Sequence, residues 1–308
     1  MAVHLLGSAA DRSGRNEAAH RLFLAATILD PGCADGPFDL GRVRLAAGRH
    51  QDAVAPLRRA LALSPDYPLA HLHLAMATLP GETYLEVLRR AHVVLRPDLY
   101  LEIGVGRGTS LVLARPPTRA IGVDPNPRPR HAFEATTTLH RMTSDAFFAT
   151  VADDAVGRMP IAMAFIDGMH TFDQALRDFA NVERHAAANA VVFIHDCIPL
   201  DAATSTRTRN TAYWSGDTWK IVPALKRYRP DLAIRTIAAG PSGLAVVTGL
   251  DAGSRVIDER WPEIVAAVMP IGFDTLDRDR VGMLNIVPND GPAIESMLRE
   301  AQGRPART

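Results

Sequence analysis

Residues 15–96 carry apolar and small side chains at helical spacing, and the pattern repeats along the chain. A shift of 34 residues aligns Ala19 with Ala53, Phe23 with Leu57, Ala26 with Ala60 and Pro31 with Pro65. Small residues allow paired helices to approach closely, and the proline ends the second helix of each pair. The pattern therefore predicts helical repeats over 7–32 and 33–66, with a degraded third repeat over 67–96.

From Leu99 onwards, short apolar runs alternate with amphipathic helices. This alternation predicts an α/β fold, a doubly wound Rossmann-like parallel sheet that binds ligands beyond the carboxyl ends of its strands. Strands are predicted over 99–104, 119–123, 161–166, 190–195, 232–238 and 243–248, and helices over 108–114, 131–139, 145–151, 172–187 and 219–228. We expect three domains: a helical repeat domain over 1–96, the sheet domain over 97–250 and a C-terminal helical extension over 251–308.

Composition narrows the classes of protein to which the chain can belong. Apolar residues make up 47%, enough for a large core, and 34 basic side chains balance 34 acidic ones. This balance argues against nucleic-acid and membrane-surface partners, which usually require a basic excess. The two cysteines lie far apart, and no apolar run is typical of a signal peptide or a membrane span. We therefore expect a soluble, cytoplasmic protein.

The first predicted strand opens into the glycine-rich segment "YLEIGVGRGTS". Gly104, Gly106 and Gly108 have no side chains, so the backbone can turn sharply and approach a ligand closely. Glu102 precedes them, and Asp124 follows 22 residues later at the end of the second strand, where an acid accepts hydrogen bonds from ribose hydroxyls. The segment alone also suits NAD, which usually takes the spacing G-x-G-x-x-G, or a turn that binds nothing.

Two later strands each end in a pair of titratable residues. The segment "FIDGMH" supplies Asp167 and His170, and "VVFIHDC" supplies His195 and Asp196. Because neighbouring parallel strands end at the same edge of a sheet, we expect these four side chains to gather there. Carboxylates in such a group suit a hard divalent cation such as Mg²⁺, which can lower the pKa of an acceptor hydroxyl, and a neutral histidine can take its proton.

Simpler interpretations of these residues stay open. Asp167 precedes Gly168 and suits a turn, and His170 stands where a residue entering a helix makes local capping contacts. His195 is also compatible with a buried imidazole bonded to the backbone.

The acid-x-Gly-x-Gly-x-Gly motif resembles that of class I S-adenosylmethionine-dependent methyltransferases. The resemblance implies that the Gly104–Gly108 loop wraps the methionine end of the cofactor and that Asp124 holds the ribose. In "MTSDAFF", Ser144 and Asp145 have the place of the adenine-binding residues. The cofactor-binding residues implied in this way are Glu102, Gly104, Gly106, Gly108, Asp124, Ser144, Asp145 and Asp167.

The segments "FIDGMHTFDQALRDF", "VVFIHD", "WSGDTWK" and "GPSGLAVV" resemble the macrocin-type sugar O-methyltransferases and the small-molecule methyltransferase family that contains them. The resemblance implies metal ligands at Asp167 and Asp196 and a general base at His170. His195 stands where the macrocin-type members tend to have an acid, and as a third metal ligand it favours a softer ion such as Mn²⁺ or Fe²⁺ over Mg²⁺.

The 34-residue period resembles the tetratricopeptide repeat, which implies a protein partner or self-association. The predicted function is thus S-adenosylmethionine-dependent, metal-assisted O-methylation of a sugar or other small natural product. Two alternatives stay open: a repeat-based interaction protein with a non-catalytic methyltransferase fold, and a metal-dependent hydroxylase of the same fold.

A polar loop between Asp196 and the next helix is a candidate binding element. Its aromatic residues could stack on a sugar or ring, its arginines could bind an anionic group, and Asp217 could complete the metal site or cap the helix that starts at Thr218. The residues concerned are Arg207, Arg209, Tyr213, Trp214 and Trp219.

Overall fold

The computed structural model describes residues 2–303, which divide into two compact units. The first unit contains the chain up to Pro80 together with Arg209–Trp214, and the second contains Gly81–Thr208 and the chain from Ser215 onwards. Within residues 2–303, no helix combines the length and the apolar content that crossing a bilayer requires. The cytoplasmic location stays a prediction.

Five helices of the first unit pack in sequence as antiparallel neighbours. Gly7 faces Phe23, where a Cβ would lie 2.8 Å from the ring, and Gly41, 34 residues later, faces Leu57 with no room for a Cβ. The same small-against-large contact thus recurs with the predicted period, and it sets how closely each pair of helices can pack. The helices are α1 (Ala2–Arg12), α2 (Asn16–Leu29), α3 (Asp35–Ala46), α4 (His50–Leu63) and α5 (Pro68–Thr78).

The next helix, α6 (Tyr84–Leu95), lies in the second unit, although the sequence pattern assigned it to the repeats. Thr83 starts it with a capping box in which Glu86 is the reciprocal partner. Its apolar face is fully buried in one core with side chains of the sheet and of the C-terminal helix. The observed division therefore falls after Pro80 and not at the predicted boundary after residue 96.

The second unit is built on an eight-stranded sheet in the order β3-β2-β1-β4-β5-β7-β6-β8. The first five strands run parallel, and β7 is antiparallel to both β5 and β6. The strand order reverses between β1 and β4, the place where doubly wound sheets bind ligands. The strands are β1 (Leu99–Ile103), β2 (Arg119–Val123), β3 (Thr136–His140), β4 (Ile161–Ile166), β5 (Ala186–His195), β6 (Ala233–Ile237), β7 (Leu244–Thr248) and β8 (Ile286–Val287).

Two predicted helices are wrong. Residues 108–114 form no α-helix but only the 3₁₀ turn Leu111–Leu113, since Gly108 has a φ of +73°, outside the helical region. Residues 131–139 were expected to be helical, but Thr136–His140 form the strand β3. Three consecutive threonines begin it, and β-branched residues favour a pleated edge position over a helix. The other helices are α7 (Ser144–Thr150), α8 (Ala152–Val156), α9 (Phe172–Arg184), α10 (Ile221–Tyr228), α11 (Val256–Glu259), α12 (Trp261–Val268), α13 (Phe273–Arg278), α14 (Arg280–Leu284) and α15 (Gly291–Gln302), with 3₁₀ turns at Leu111–Leu113 and Thr218–Lys220.

The glycine-rich loop allows a matched test of steric and conformational cost. Gly104 and Gly106 both have positive φ, +87° and +50°, but a Cβ on Gly104 would collide with the carbonyl oxygen of Asp167 while one on Gly106 meets open space. Gly106→Ala should therefore lower the free energy of unfolding by about 1 kcal/mol, and Gly104→Ala by about 3 kcal/mol or more. Urea denaturation of the full chain measures both, and equal losses would contradict the collision.

Candidate functional site

The glycine-rich loop and the end of β2 are tied by hydrogen bonds around Asp124. The backbone N–H of Gly106 donates to Asp124 Oδ2 at 2.8 Å, and that of Asn126 donates to Oδ1 at 2.6 Å. Each carboxylate oxygen has a further lone pair, so the side chain is held in place while it can still accept a bond from a ligand hydroxyl. Asp124 is thus fixed beside the loop, as the sequence predicted.

The loop also touches the segment that follows β4. Asp167 N–H donates to the carbonyl of Ile103 at 2.8 Å, and Gly104 N–H donates to that of Val123 at 2.9 Å. The Cα of Gly104 lies so close to the Asp167 carbonyl that only glycine fits. The ends of β1, β2 and β4 are consequently joined into one backbone platform.

A cavity of about 340 Å³ opens above this platform. Of the eight predicted cofactor-binding residues, Gly104, Asp124, Ser144 and Asp145 line it. Gly106, Gly108, Glu102 and Asp167 are not among its lining residues. The remaining lining residues are Ile103, Val123, Pro125, Thr143, Gly168, Met169, Gln174 and Asp178.

Glu102 lies beneath the loop and is fully buried. Tyr100 donates to its Oε2 at 2.6 Å and Ser110 to its Oε1 at 2.8 Å. Burial raises the pKa of Glu102 to about 8 in spite of these hydrogen bonds, which favour the charged form. Glu102 thus joins β1 to the residues that follow the loop, and the structure gives it a supporting position in place of the predicted contact with the cofactor.

The far wall of the cavity contains two polar residues that the sequence analysis missed, Gln174 and Asp178 of α9. Their i, i+4 spacing in "FDQALRDF" places both on one helix face, and this polar pair among apolar neighbours was the available signal. The Gln174 amide nitrogen lies 3.2 Å from Ser144 Oγ and 3.1 Å from Asp145 Oδ1. Helix α9 therefore reaches across to the first turn of α7.

Asp167, His170 and Asp196 come together at the carboxyl ends of β4 and β5, as predicted. One ligand atom from each lies within 4.8 Å of the others, a spacing that can hold a metal ion. His170 Nδ1 is 2.6 Å from Asp196 Oδ2, and His170 Nε2 is 3.4 Å from Asp167 Oδ1. A cavity of about 10 Å³ adjoins these side chains, which is room for about one water molecule or a bare ion.

His195 lies beside the same carboxylates, and its role as a metal ligand stays a prediction. Its Nδ1 lies 3.1 Å from Asp167 Oδ1 and its Nε2 3.2 Å from Ser242 Oγ, so both ring nitrogens have protein partners. The ring is buried and lies 4.1 Å from the ring of Tyr84, centroid to centroid. Burial lowers the pKa of His195, but Asp167 and Asp196 outweigh it and raise the pKa overall. His195 thus lines the small cavity together with Asp167 and Asp196, with both ring nitrogens already in contact with protein oxygens.

The backbone at the site adopts conformations that residues other than glycine seldom take. His170 and Asp196 have φ of 55° and 59°. Gly216 packs so closely on the carbonyl of His170 that a Cβ would collide with it. Such conformations cost free energy and persist where the surrounding structure holds them, as it commonly does at functional sites.

The polar loop after Asp196 plays a different part from the one predicted. Asp217 Oδ1 accepts a hydrogen bond from the backbone N–H of Phe172 at 2.9 Å, so Asp217 caps the start of α9. It was predicted to complete the metal site or to cap the helix that starts at Thr218. Trp219 is buried, and Arg207 pairs with Asp173 at 2.8 Å. Trp219 is therefore enclosed by protein, while Arg207 is partly exposed and already paired with a carboxylate.

The segment Arg209–Trp214 of the same loop belongs to the repeat unit. Within that unit, the ring of Tyr213 stacks on His71 with the centroids 6.3 Å apart. Arg209 donates to the backbone carbonyls of Thr211 and Ala212. These contacts order the segment Arg209–Trp214 and assign no ligand to it.

Comparison with known families matches both parts of the chain. Residues 101–197 match the family model described as "Methyltransferase domain", and residues 4–68 match the model described as "Tetratricopeptide repeat". No match was found among curated protein sequences. The family matches confirm a methyltransferase domain and the first two predicted repeats, whereas the third, predicted over 67–96, lies almost entirely beyond the match.

Two solved structures are similar to this chain. Cofactor-bound Rv0187 from MTB is 14% identical, with 58% of this chain and 89% of that chain covered and a TM-score of 0.41. The O-methyltransferase TomG from Streptomyces achromogenes, solved in complex with SAM, is 16% identical, with 54% and 79% covered and a TM-score of 0.39.

The buried Glu102 should make stability depend on pH. Its pKa of about 8 in the folded chain exceeds the ordinary 4.5, so the folded state binds the proton more tightly and loses stability as pH rises between these values. Relative to Glu102→Gln, the wild type should become less stable by up to about 4 kcal/mol between pH 5 and 8. Urea denaturation at both pH values tests this, and a pH-independent difference would show that Glu102 stays ionised.

Proposed function

Since residues 101–197 are a methyltransferase domain, preceded by tetratricopeptide repeats over residues 4–68, we propose that the protein transfers a methyl group from S-adenosylmethionine to a hydroxyl of a sugar or other small natural product. One observation carries the proposal: the larger cavity adjoins the Asp167–His170–Asp196 group. Gly168, Met169 and Asp178 line both the larger cavity and the smaller one beside that group. A donor and an acceptor bound in the two places would meet there.

The residues of the larger cavity fit S-adenosylmethionine. Gly104 lines the cavity without a side chain, Asp124 can accept hydrogen bonds from ribose hydroxyls, and Asp145 at the far end can accept one from the adenine amino group. When bound, the cofactor supplies a methyl group on a positively charged sulfur. The carboxylates of the cavity wall favour a cationic ligand, and the loop backbone leaves room for its methionine end.

The group at the strand ends fits a divalent cation. We infer that Asp167 and Asp196 would hold it, since carboxylate oxygens suit both Mg²⁺ and Mn²⁺. When bound, such an ion lowers the pKa of an acceptor hydroxyl. His195 is proposed to orient the Asp167 carboxylate through the contact at Nδ1, as residues bonded to metal ligands commonly do.

His170 is proposed as the general base. Its contact with Asp196 at 2.6 Å orients the imidazole, and 28% of its side chain is exposed, so an acceptor can reach it. His170 would take the proton of the acceptor hydroxyl as the hydroxyl oxygen receives the methyl group that S-adenosylmethionine supplies. The products are the methyl ether and S-adenosylhomocysteine. Holding the oxygen and the methyl carbon about 3 Å apart supplies much of the acceleration.

The repeats are proposed to bind a protein partner or a second copy of the chain. Several of their large apolar side chains are exposed, among them Leu5, Ile28, Leu29 and Leu69. Stacked repeats commonly use such surfaces for recognition.

Asp124 tests the cofactor assignment without knowledge of the acceptor. Asp124→Ala should weaken S-adenosylmethionine binding by about tenfold or more, because the ribose loses a charge-assisted hydrogen bond and the loop loses the bond from Gly106. Isothermal titration measures the affinity, with Asp153→Ala, an acid outside the cavity, as the control. An unchanged affinity in Asp124→Ala would refute the ribose assignment.

Substitutions at Asp196, His195 and His170 distinguish the residues proposed for metal binding from the proposed general base. Asp196→Asn should weaken Mn²⁺ binding by about 100-fold and His195→Gln by about tenfold, because one removes a ligand charge and the other an orienting contact. His170→Ala should keep Mn²⁺ affinity and lower turnover by about 10²-fold or more.

Mn²⁺ binding is measured by electron paramagnetic resonance, and turnover by the mass gain of an acceptor. A large loss of Mn²⁺ affinity in His170→Ala would make His170 a ligand and not the base.

A further inference from the structure

Helix α9 controls the far end of the larger cavity through Gln174. The amide nitrogen of Gln174 lies within hydrogen-bonding distance of three oxygens, at 3.2 Å from Ser144 Oγ, 3.1 Å from Asp145 Oδ1 and 3.0 Å from Asp178 Oδ1. An amide carries only two hydrogens, so they are shared among the three oxygens. One side chain thus couples the first turn of α7 to α9.

Asp178 is the buried partner that holds the Gln174 side chain in place. Only 1% of its surface is exposed, and it lies one helical turn after Gln174 on the same face of α9. Burial raises its pKa to about 6, although hydrogen bonds from Ser144 and Gln174 oppose the shift. A carboxyl buried in this way has few alternative partners, so it holds the Gln174 amide toward the cavity.

Asp145 is held from α9 at both of its oxygens. Gln174 contacts Oδ1, and Arg177 NH1 contacts Oδ2 at 2.9 Å. About half of the Asp145 side chain is exposed, and without these partners a short carboxylate at a helix start can turn to solvent. The contact from Gln174 is the one made inside the cavity, because Gln174 itself lines the wall.

We propose that Gln174, anchored by Asp178, is the positioning residue that aims Ser144 and Asp145 at the base of the cofactor and so determines its selectivity for adenine. This inference rests on the proposed function. Adenine presents an amino donor at position 6, which a fixed carboxylate accepts. Hypoxanthine presents a carbonyl oxygen there, which the same carboxylate repels. If Asp145 loses its contact with Gln174, both the attraction for adenine and the repulsion of hypoxanthine are lost.

The experiment compares S-adenosylhomocysteine with S-inosylhomocysteine, which differ at this edge of the base. Isothermal titration of the full chain should show that the wild type prefers the adenosyl compound. Gln174→Leu should bind the adenosyl compound about tenfold more weakly, and it should bind the inosyl compound as tightly as the wild type does or more tightly, because the repulsion is also removed. Arg184→Gln, on the same helix but outside the cavity, should change neither affinity.

A double-mutant cycle shows whether Gln174 acts through Asp145. In the Asp145→Asn background, Gln174→Leu should have less than about a twofold effect, since the residue it positions is already neutral. Gln174→Met, which keeps the length of the side chain, serves if Gln174→Leu unfolds. Equal losses for both compounds, or a full effect in the Asp145→Asn background, would overturn the inference. A wild type that binds neither compound would instead refute the proposed function on which the inference rests.

Discussion

The close approach of Gly104 to the backbone of Asp167 is the constraint on which the site depends. It occurs between β1 and β4, where the strand order reverses and the two strand ends would otherwise leave an open crevice. A side chain at residue 104 would force the loop and the turn apart. Because glycine stands there, the loop and the turn after β4 share one platform, and the two cavities above it adjoin.

Two carboxylates and two imidazoles lie in contact with one another above this platform. Asp167 and Asp196 each contact both His170 and His195. Burial alone raises the pKa of Asp196, but the two imidazoles outweigh it and lower the pKa. Two carboxylates and two histidines therefore stabilise one another, which matters most for the buried His195 and Asp196, where an unpaired charge would be costly.

Local patterns predicted much of this structure, and contacts between distant residues account for the rest. The 34-residue period predicted the repeat helices because Phe23 and Leu57 need a small partner at the same offset. Strand ends predicted the grouping of Asp167 and Asp196. The sequence could not show that His195 bonds Ser242, 47 positions later, or that Asp217 caps α9 from 45 positions away.

The third repeat shows how packing can override a period that the sequence still carries. A shift of 34 residues aligns Ala53 with Val87, Leu57 with Ala91 and Ala60 with Val94. Helix α6 therefore has larger residues at the two positions where α4 has alanine, and alanine at the position where α4 has leucine. This inverted face cannot make the repeat contact, but it fits a broad sheet, and Val87 and Ala91 are fully buried in the sheet core. Tyr84, the first residue of α6, then covers the ring of His195. A helix that the period assigns to the repeats thereby helps to enclose His195 beside Asp167 and Asp196.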